Sequence, residues 1–186
     1  LRSAAERFEF DFDRKKLFRR LQAAVANKRE PQRVRVELWA DGRTRIETAP
    51  LLPESASWRL SLADEKVDPK ELWLFFKTTL RGRYDRALAA ARASGADEAV
   101  FLNTEGLLTE GTRTNLFVKL EGRWWTPPLE SGLLPGVYRQ HLLQTGKVRE
   151  RALRLEDLAR AEGLAVGNAL RGWIPAVRWF PLREGT

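Results

Sequence analysis

Between Phe12 and Lys28 the apolar residues Leu17, Leu21, Ala24 and Val25 fall at helical spacing, with Asp11 or Asp13 in front as a cap, which predicts an amphipathic helix. From Val34 the period drops to two. Val34, Val36 and Leu38 alternate with charged residues, Asp41-Gly42 forms a hairpin turn, and Arg43 to Glu47 is the returning strand. Ahead of these, Leu1 to Arg7 reads as the tail of a helix, and the polar, aperiodic stretch Ala63 to Pro69 reads as a linker. Residues 1–69, linker included, are therefore expected to form a small α+β domain, and residues 70–186 a larger one.

In the larger part the most apolar run, Leu72-Trp73-Leu74-Phe75-Phe76, predicts a buried strand ending at Lys77. Tyr84 to Ala93 reads as a helix stopped by Gly95, Ala99 to Leu102 as a strand, and Thr104-Glu105-Gly106 as a turn. Asn115 to Leu120 pairs through Glu121-Gly122 with Arg123-Trp124-Trp125, until Pro127-Pro128 breaks the pattern. A helix begins near Pro135, a residue suited to a first helical turn. A strand at Val148 to Ala152, a helix at Glu156 to Ala161 ended by Gly163, and a strand at Leu164 to Val166 follow. Strands and helices mix without strict βαβ alternation, which argues against a Rossmann domain, and neither GxGxxG nor GxxxxGK[ST] occurs.

Composition narrows the chemistry. At 186 residues, 43% hydrophobic and 31% charged, the chain is long and apolar enough for a real core. The absence of cysteine removes disulfides, thiolate catalysis and cysteine-ligated zinc. The single histidine, His141, cannot build a multi-histidine metal site, and no metal is expected. Its helix-like surroundings point to a packed or solvated side chain. The net charge of +8 favours anionic partners. A basic nucleic-acid-binding module is the alternative from another class, but acids interleave with the bases and no recognised binding motif accompanies them, so no nucleic acid is expected. No apolar stretch reaches membrane-spanning length and nothing at the start resembles a signal peptide, so a cytoplasmic protein without a membrane partner is expected. The chain lacks methionine and opens in a helix tail, which leads to the expectation that an N-terminal piece precedes Leu1.

Without cysteine, a lysine is the best nucleophile available. An ammonium against apolar walls is disfavoured by desolvation, which frees the amine to condense with a carbonyl such as an aldehyde cofactor. A lysine that marks where a strand meets water gives the same pattern. Glu110, in Leu108-Thr109-Glu110-Gly111-Thr112-Arg113-Thr114-Asn115, is a carboxylate in a Gly/Thr-rich turn, fit to face a ring nitrogen or simply to close the turn. In Ser131-Gly132-Leu133-Leu134-Pro135-Gly136-Val137-Tyr138-Arg139, glycines before a helix leave backbone N–H groups for a phosphate, or merely start the helix. In Gly167-Asn168-Ala169-Leu170-Arg171-Gly172, Asn168 can donate to a phosphate and Arg171 can fork a carboxylate, though a surface arginine would look alike.

Taken in order, K-T-T-L-R-G-R-Y-D, L-T-E-G-T-R-T-N-L-F, T-P-P-L-E-S-G-L-L-P-G-V-Y-R and G-N-A-L-R-G resemble the class IV, fold-type IV pyridoxal-phosphate enzymes. That family includes branched-chain and D-amino-acid aminotransferases and 4-amino-4-deoxychorismate lyases. The resemblance runs from about Leu72 to Val177, and Leu1 to Asp13 resembles the stretch after the family's first helix. It implies a D-amino-acid aminotransferase-like α/β (α+β) fold, with a small N-terminal domain, a larger barrel-like domain and pyridoxal 5′-phosphate between them.

Carried over residue by residue, Lys77 matches the lysine that binds the cofactor covalently and shuttles the proton. Glu110 matches the acid at the pyridine nitrogen, Val137 and Tyr138 the backbone phosphate contacts, and Asn168 a further one. Arg81 is expected near the cofactor's phenolic oxygen or a substrate carboxylate, and Asn115 in support of the glutamate loop. The K-T-T-x-R-x-x-Y-D and G-N-A-L-R-G stretches resemble the lyase branch, where aminotransferases carry a Thr/Ser-rich segment in place of Ala169-Leu170-Arg171. The implied reaction converts 4-amino-4-deoxychorismate to p-aminobenzoate and pyruvate, a step toward folate, with Arg81 and Arg171 binding a small dicarboxylate. A class IV aminotransferase is the alternative on the same scaffold. A homodimer is implied as well, and the family's opening strands, with a phosphate-gripping arginine, are expected ahead of Leu1.

Overall fold

The computed structural model describes residues 1–53 and 55–180, and the chain divides into two compact units, Leu1–Glu54 and Ser55–Thr186. In the first, α1 (Arg2–Arg7) and α2 (Arg14–Val25) precede an antiparallel hairpin of β1 (Gln32–Leu38) and β2 (Thr44–Pro50). Asp13, one of the two expected caps, accepts the Lys16 N–H at 2.8 Å and starts α2. Gly42 sits in the hairpin turn at φ +76°, a conformation that glycine adopts without strain. Arg20 of α2 reaches the Thr44 carbonyl at 2.8 Å, tying helix to hairpin.

The second unit starts earlier than the expected linker. Trp58–Leu62 is a strand, β3, in which Trp58 and Leu60 are buried and alternate with half-buried Arg59 and Ser61. It is followed by α3 (Gly82–Ala93), β4 (Glu98–Leu102), β5 (Leu108–Gly111), β6 (Asn115–Leu120), β7 (Arg123–Thr126), α4 (Val137–Gln144), β8 (Arg149–Glu150), α5 (Leu155–Ala159), β9 (Gly163–Asn168) and β10 (Gly172–Arg178). Residues Ala63 to Pro69 belong to this unit. The Ala63 N–H bonds the Val100 carbonyl at 2.9 Å, and Val67 bridges Asn103.

Strands β5-β4-β3-β10-β9-β6 pair in that order, and β5 pairs with β6 as well, so the six close into a barrel. Within the barrel the β10–β3 and β3–β4 pairs are parallel and the others antiparallel, while β7 continues outward antiparallel to β6 and β8 runs parallel to β7. Alternate residues fill the interior, among them Leu60, Val100, Leu108, Leu116, Val118 and Val166. On the outside, Phe101 and Ala99 of β4 meet Tyr84, Ala87 and Ala91 of α3. No described helix is long and apolar enough to cross a membrane.

The run before Lys77 is not a strand. Leu72–Phe75 forms one turn of 3-10 helix in which Leu74 is buried while Leu72 and Trp73 are 38% and 48% exposed. A five-residue apolar run carries no period that separates strand from helix. Here Arg83 holds the start of the turn by two 3.0 Å bonds to the Glu71 carboxylate. The strand expected at Val148 to Ala152 shrinks to Arg149–Glu150, and the helix expected near Pro135 begins at Val137. Leu116 has no solvent exposure and sits in the barrel core. Leu116→Ala is expected to cost about 2–5 kcal/mol in urea unfolding, the range for a large core truncation.

Candidate active site

Two pairs fix the geometry of β5. Val100 lies opposite Gly111 and Leu102 opposite Leu108, so three steps on β5 face two on β4. The extra residue is a β-bulge, which reverses the in-and-out alternation within a four-residue strand. Leu108 and Gly111 consequently both face the barrel interior. A Cβ at Gly111 would stand 2.9 Å from the Glu98 carboxyl carbon and 2.5 Å from the Thr114 hydroxyl. Glu110 is turned to the outer face beside its β6 partner, Asn115.

There Glu110 is buried, 7% exposed. Burial pushes its carboxyl up to about 8, and the charge of Glu98 adds to the rise. The Leu134 N–H, the Lys77 ammonium and the Tyr84 hydroxyl oppose it by favouring the ionised form. Asn115 braces the acid, its side-chain N–H donating at 3.4 Å to Glu110 and at 3.0 Å to the Leu134 carbonyl.

Lys77 leaves the 3-10 turn on an irregular segment, and its side chain is exposed on the chain surface rather than shielded at a strand end. Protein packed around its ammonium nonetheless lowers its pKa, Arg81 adds to that, and Glu110 pulls the other way. The amine and the acid, from separate elements, thus act on each other electrostatically. Arg81 donates to the Thr112 carbonyl at 2.9 Å, approaches Asp85 at 3.4 Å and lies 5.3 Å over the Tyr84 ring.

The start of α4 completes this side. Gly136 is its N-cap and no side chain caps the helix, so the first turn presents backbone N–H groups at its positive end. A Cβ at 136 would come 2.1 Å from the Asn115 side-chain oxygen, so any residue but glycine there would push Asn115 out of its place beside Glu110. Val137 is 72% exposed, and the Tyr138 ring lies against β9, 3.0 Å from where a Cβ on Gly167 would stand. His141 is exposed on α4, apart from these contacts.

Asn168 is placed as a brace. Its N–H donates to the Arg113 carbonyl at 3.1 Å, and its oxygen accepts the Leu170 and Arg171 N–H groups at 3.0 and 2.9 Å. The donor expected to meet a phosphate is engaged by the 112–114 turn, because the β9–β10 loop folds back onto it. Arg171 sits half-buried in that loop. Two contributors escaped the sequence reading, Tyr84 and Glu98. The signal for Glu98 was a carboxylate heading an apolar run, and for Tyr84 its position seven residues after Lys77 in the quoted motif. An apolar cleft of about 440 Å³ in the first unit, between Phe12, Leu17, Phe18 and Leu21, is lined by no acid and no lysine.

Residues 1–179 match the model of the amino-transferase class IV family. A Schizosaccharomyces pombe protein named provisionally as an aminodeoxychorismate lyase is 31% identical over 146 residues, 75% of this chain and 63% of its own length. A Thermotoga maritima protein named provisionally as a branched-chain-amino-acid aminotransferase is 29% identical over 104 residues, 53% of this chain and 38% of its own length. The chain thus spans less than two thirds of either relative. A solved structure from Mesorhizobium loti, described provisionally as an amino-acid aminotransferase, has a TM-score of 0.91 at 35% identity, covering 95% of this chain and 87% of that one.

A carboxyl at about 8, against 4.5 ordinarily, keeps in the folded chain a proton that the unfolded chain releases. The stability contributed by this group therefore falls as pH rises from about 4.5 to 8, by up to about 1.4 kcal/mol per pH unit. Urea unfolding of the cofactor-free protein at pH 5.5 and pH 8 is expected to show that fall, and Glu110→Gln is expected to flatten it.

Proposed function

The chain belongs to the amino-transferase class IV family, and on that premise we propose that it is a lyase converting 4-amino-4-deoxychorismate to p-aminobenzoate and pyruvate. The family works with pyridoxal 5′-phosphate, and the donor set here fits that group. The observation that carries the proposal is the electrostatic coupling of an amine of lowered pKa with a buried acid of raised pKa. Close to that acid, through Asn115, lies an uncapped helix start whose N-cap glycine leaves room for the Asn115 side chain. When bound, the cofactor supplies an aldehyde that condenses with amines and a ring that accepts the electron pair left on the amine-bearing carbon.

Lys77 would hold the cofactor through its Nζ. Its lowered pKa raises the fraction of unprotonated amine, which makes the same atom fit to take the proton from the substrate's amine-bearing carbon. Glu110 would hold a proton between its carboxyl and the pyridine nitrogen, since a buried carboxyl gains most from a cationic neighbour. The N–H groups of Val137 and Tyr138 would bind the phosphate. Asn168 would serve that subsite indirectly, keeping the β9–β10 loop against the 112–114 turn. Arg81, with one guanidinium N–H anchored on Thr112, and Arg171 would orient the substrate carboxylates. We extend the proposal to a cytoplasmic homodimer serving folate synthesis.

The lyase choice is supported by the Schizosaccharomyces pombe relative and by the arginine in the G-N-A-L-R-G loop. The Mesorhizobium loti structure, at 35% identity, favours an aminotransferase instead. Pyruvate released from 4-amino-4-deoxychorismate without any 2-oxo acid is the expected result. Strict dependence of turnover on a 2-oxo acid acceptor would sink the lyase reading and leave the aminotransferase. Pyridoxal phosphate followed by borohydride is expected to leave a reduced adduct that peptide mapping places on Lys77. Lys77→Ala is expected to keep its circular dichroism and lose all turnover.

A further inference from the structure

Lys77 stands at the midpoint of a loop of 13 residues, six from Glu71 at one end and six from Arg83 at the other. Leu74 is the one buried side chain of this loop, while Leu72, Trp73 and Leu80 are 38%, 48% and 62% exposed. Its backbone is held by short local bonds. The Leu74 N–H donates to the Glu71 carbonyl at 3.2 Å, the Phe76 N–H to the Trp73 carbonyl at 3.4 Å and the Arg81 N–H to the Thr79 carbonyl at 2.9 Å. Turns with so little buried apolar surface open easily unless their ends are fixed.

Here the ends are fixed to each other. The Arg83 guanidinium forks the Glu71 carboxylate with two bonds of 3.0 Å and turns its Nε to Glu65 at 2.8 Å. Arg86, one turn further along α3, reaches the other Glu65 oxygen at 3.2 Å. Helix α3, the stretch after β3 and the 3-10 turn thus meet on two cations and two carboxylates. Single exposed ion pairs contribute little, but a bidentate fork within a charge network is the exception. The side chains of Arg83 and Glu71 are 24% and 33% exposed, so solvent screens this fork only in part.

We propose that Arg83 and Glu71 are positioning residues, a clasp that closes this loop and presents the Lys77 amine to the site. The inference deepens the function proposed above and rests on it, since the amine so presented is the one that would condense with the cofactor. The loop is fastened a second time by Arg81, which donates to the Thr112 carbonyl at 2.9 Å, in the turn that follows Glu110. With its base closed as well, Lys77 has less chain over which to wander.

The test uses the full chain without cofactor and has two readouts. Hydrogen exchange is followed at the Leu74 and Phe76 amides, with the β6 amides as control. Pyridoxal, which lacks the phosphate and so gains nothing from the start of α4, is trapped with borohydride, and peptide mapping compares Lys77 with Lys119 on β6. Glu71→Gln keeps the shape and removes the charge. It is expected to speed exchange at both amides about fivefold and to slow labelling of Lys77 about fivefold, with Lys119 and β6 unchanged. Arg83→Lys keeps the charge without the fork and is expected to give the same two losses. Adding Glu71→Gln to Arg83→Gln is expected to change nothing further, as for two halves of one contact. Unchanged exchange at both amides overturns the proposal. So does Lys77 labelling at the wild-type rate, a fall shared by Lys119, or additive effects in the double variant. Should Lys77 of the wild type label no faster than Lys119, the functional reading falls, while the exchange rates still decide whether the fork closes the loop.

Discussion

Glu98 opens β4 with no exposure to solvent, and its carboxylate gathers the turn between β5 and β6. The Thr112 N–H donates to it at 3.0 Å, the Arg113 N–H at 3.3 Å and the Thr114 hydroxyl at 3.0 Å, and the Thr112 hydroxyl donates as well. A buried carboxylate is tolerated only when its lone pairs are filled, so this turn has little choice of conformation. Gly111 follows from the same constraint, since any side chain there would collide with the carboxyl. The carbonyls of the turn point outward as a result, where Thr112 receives Arg81 and Arg113 receives Asn168. One internal acid thus arranges the backbone that two distant segments use.

The bulge then completes the exchange between fold and chemistry. Without its extra residue, Glu110 would follow Leu108 into the apolar interior. With it, the carboxyl reaches the outer face, between Asn115, Leu134 and the segment carrying Lys77. Asn115 links the acid to the helix start, touching the Leu134 carbonyl on one side and leaving no room for a side chain at Gly136 on the other. Helix α4 is held elsewhere by Arg139, which is 2% exposed and bonded to the Pro127 carbonyl at 2.7 Å and to Glu150 at 2.5 Å. The start of α4 is therefore supported from behind by a buried guanidinium.

Much of this was legible in the amino-acid order. The helix from Arg14, the hairpin at Asp41-Gly42 and the strand from Asn115 follow from period and turn chemistry, and the four ordered motifs point to the family that the comparison establishes. What escaped has physical reasons. Leu72 to Phe76 lacks a period, so its 3-10 turn was invisible, and with it the exposed setting of Lys77. Trp58 to Leu62 is too short to stand out, yet closure of the barrel needs it. The register shift in β5 belongs to a pairing across strands, which a local pattern cannot display. Glu98 acts through contacts to the turn between β5 and β6, so in the sequence it looked like an ordinary strand residue.

The barrel ring is closed between β5 and β6 through the pairing of Glu110 with Asn115. This narrow seam is made of the same two residues that carry and brace the acid. Any breathing motion that parts the seam separates the buried acid from its brace in the same instant, and any molecule that grips both side chains staples the cylinder shut. Barrel closure and the setting of this acid share one fastening, so neither can be loosened by itself.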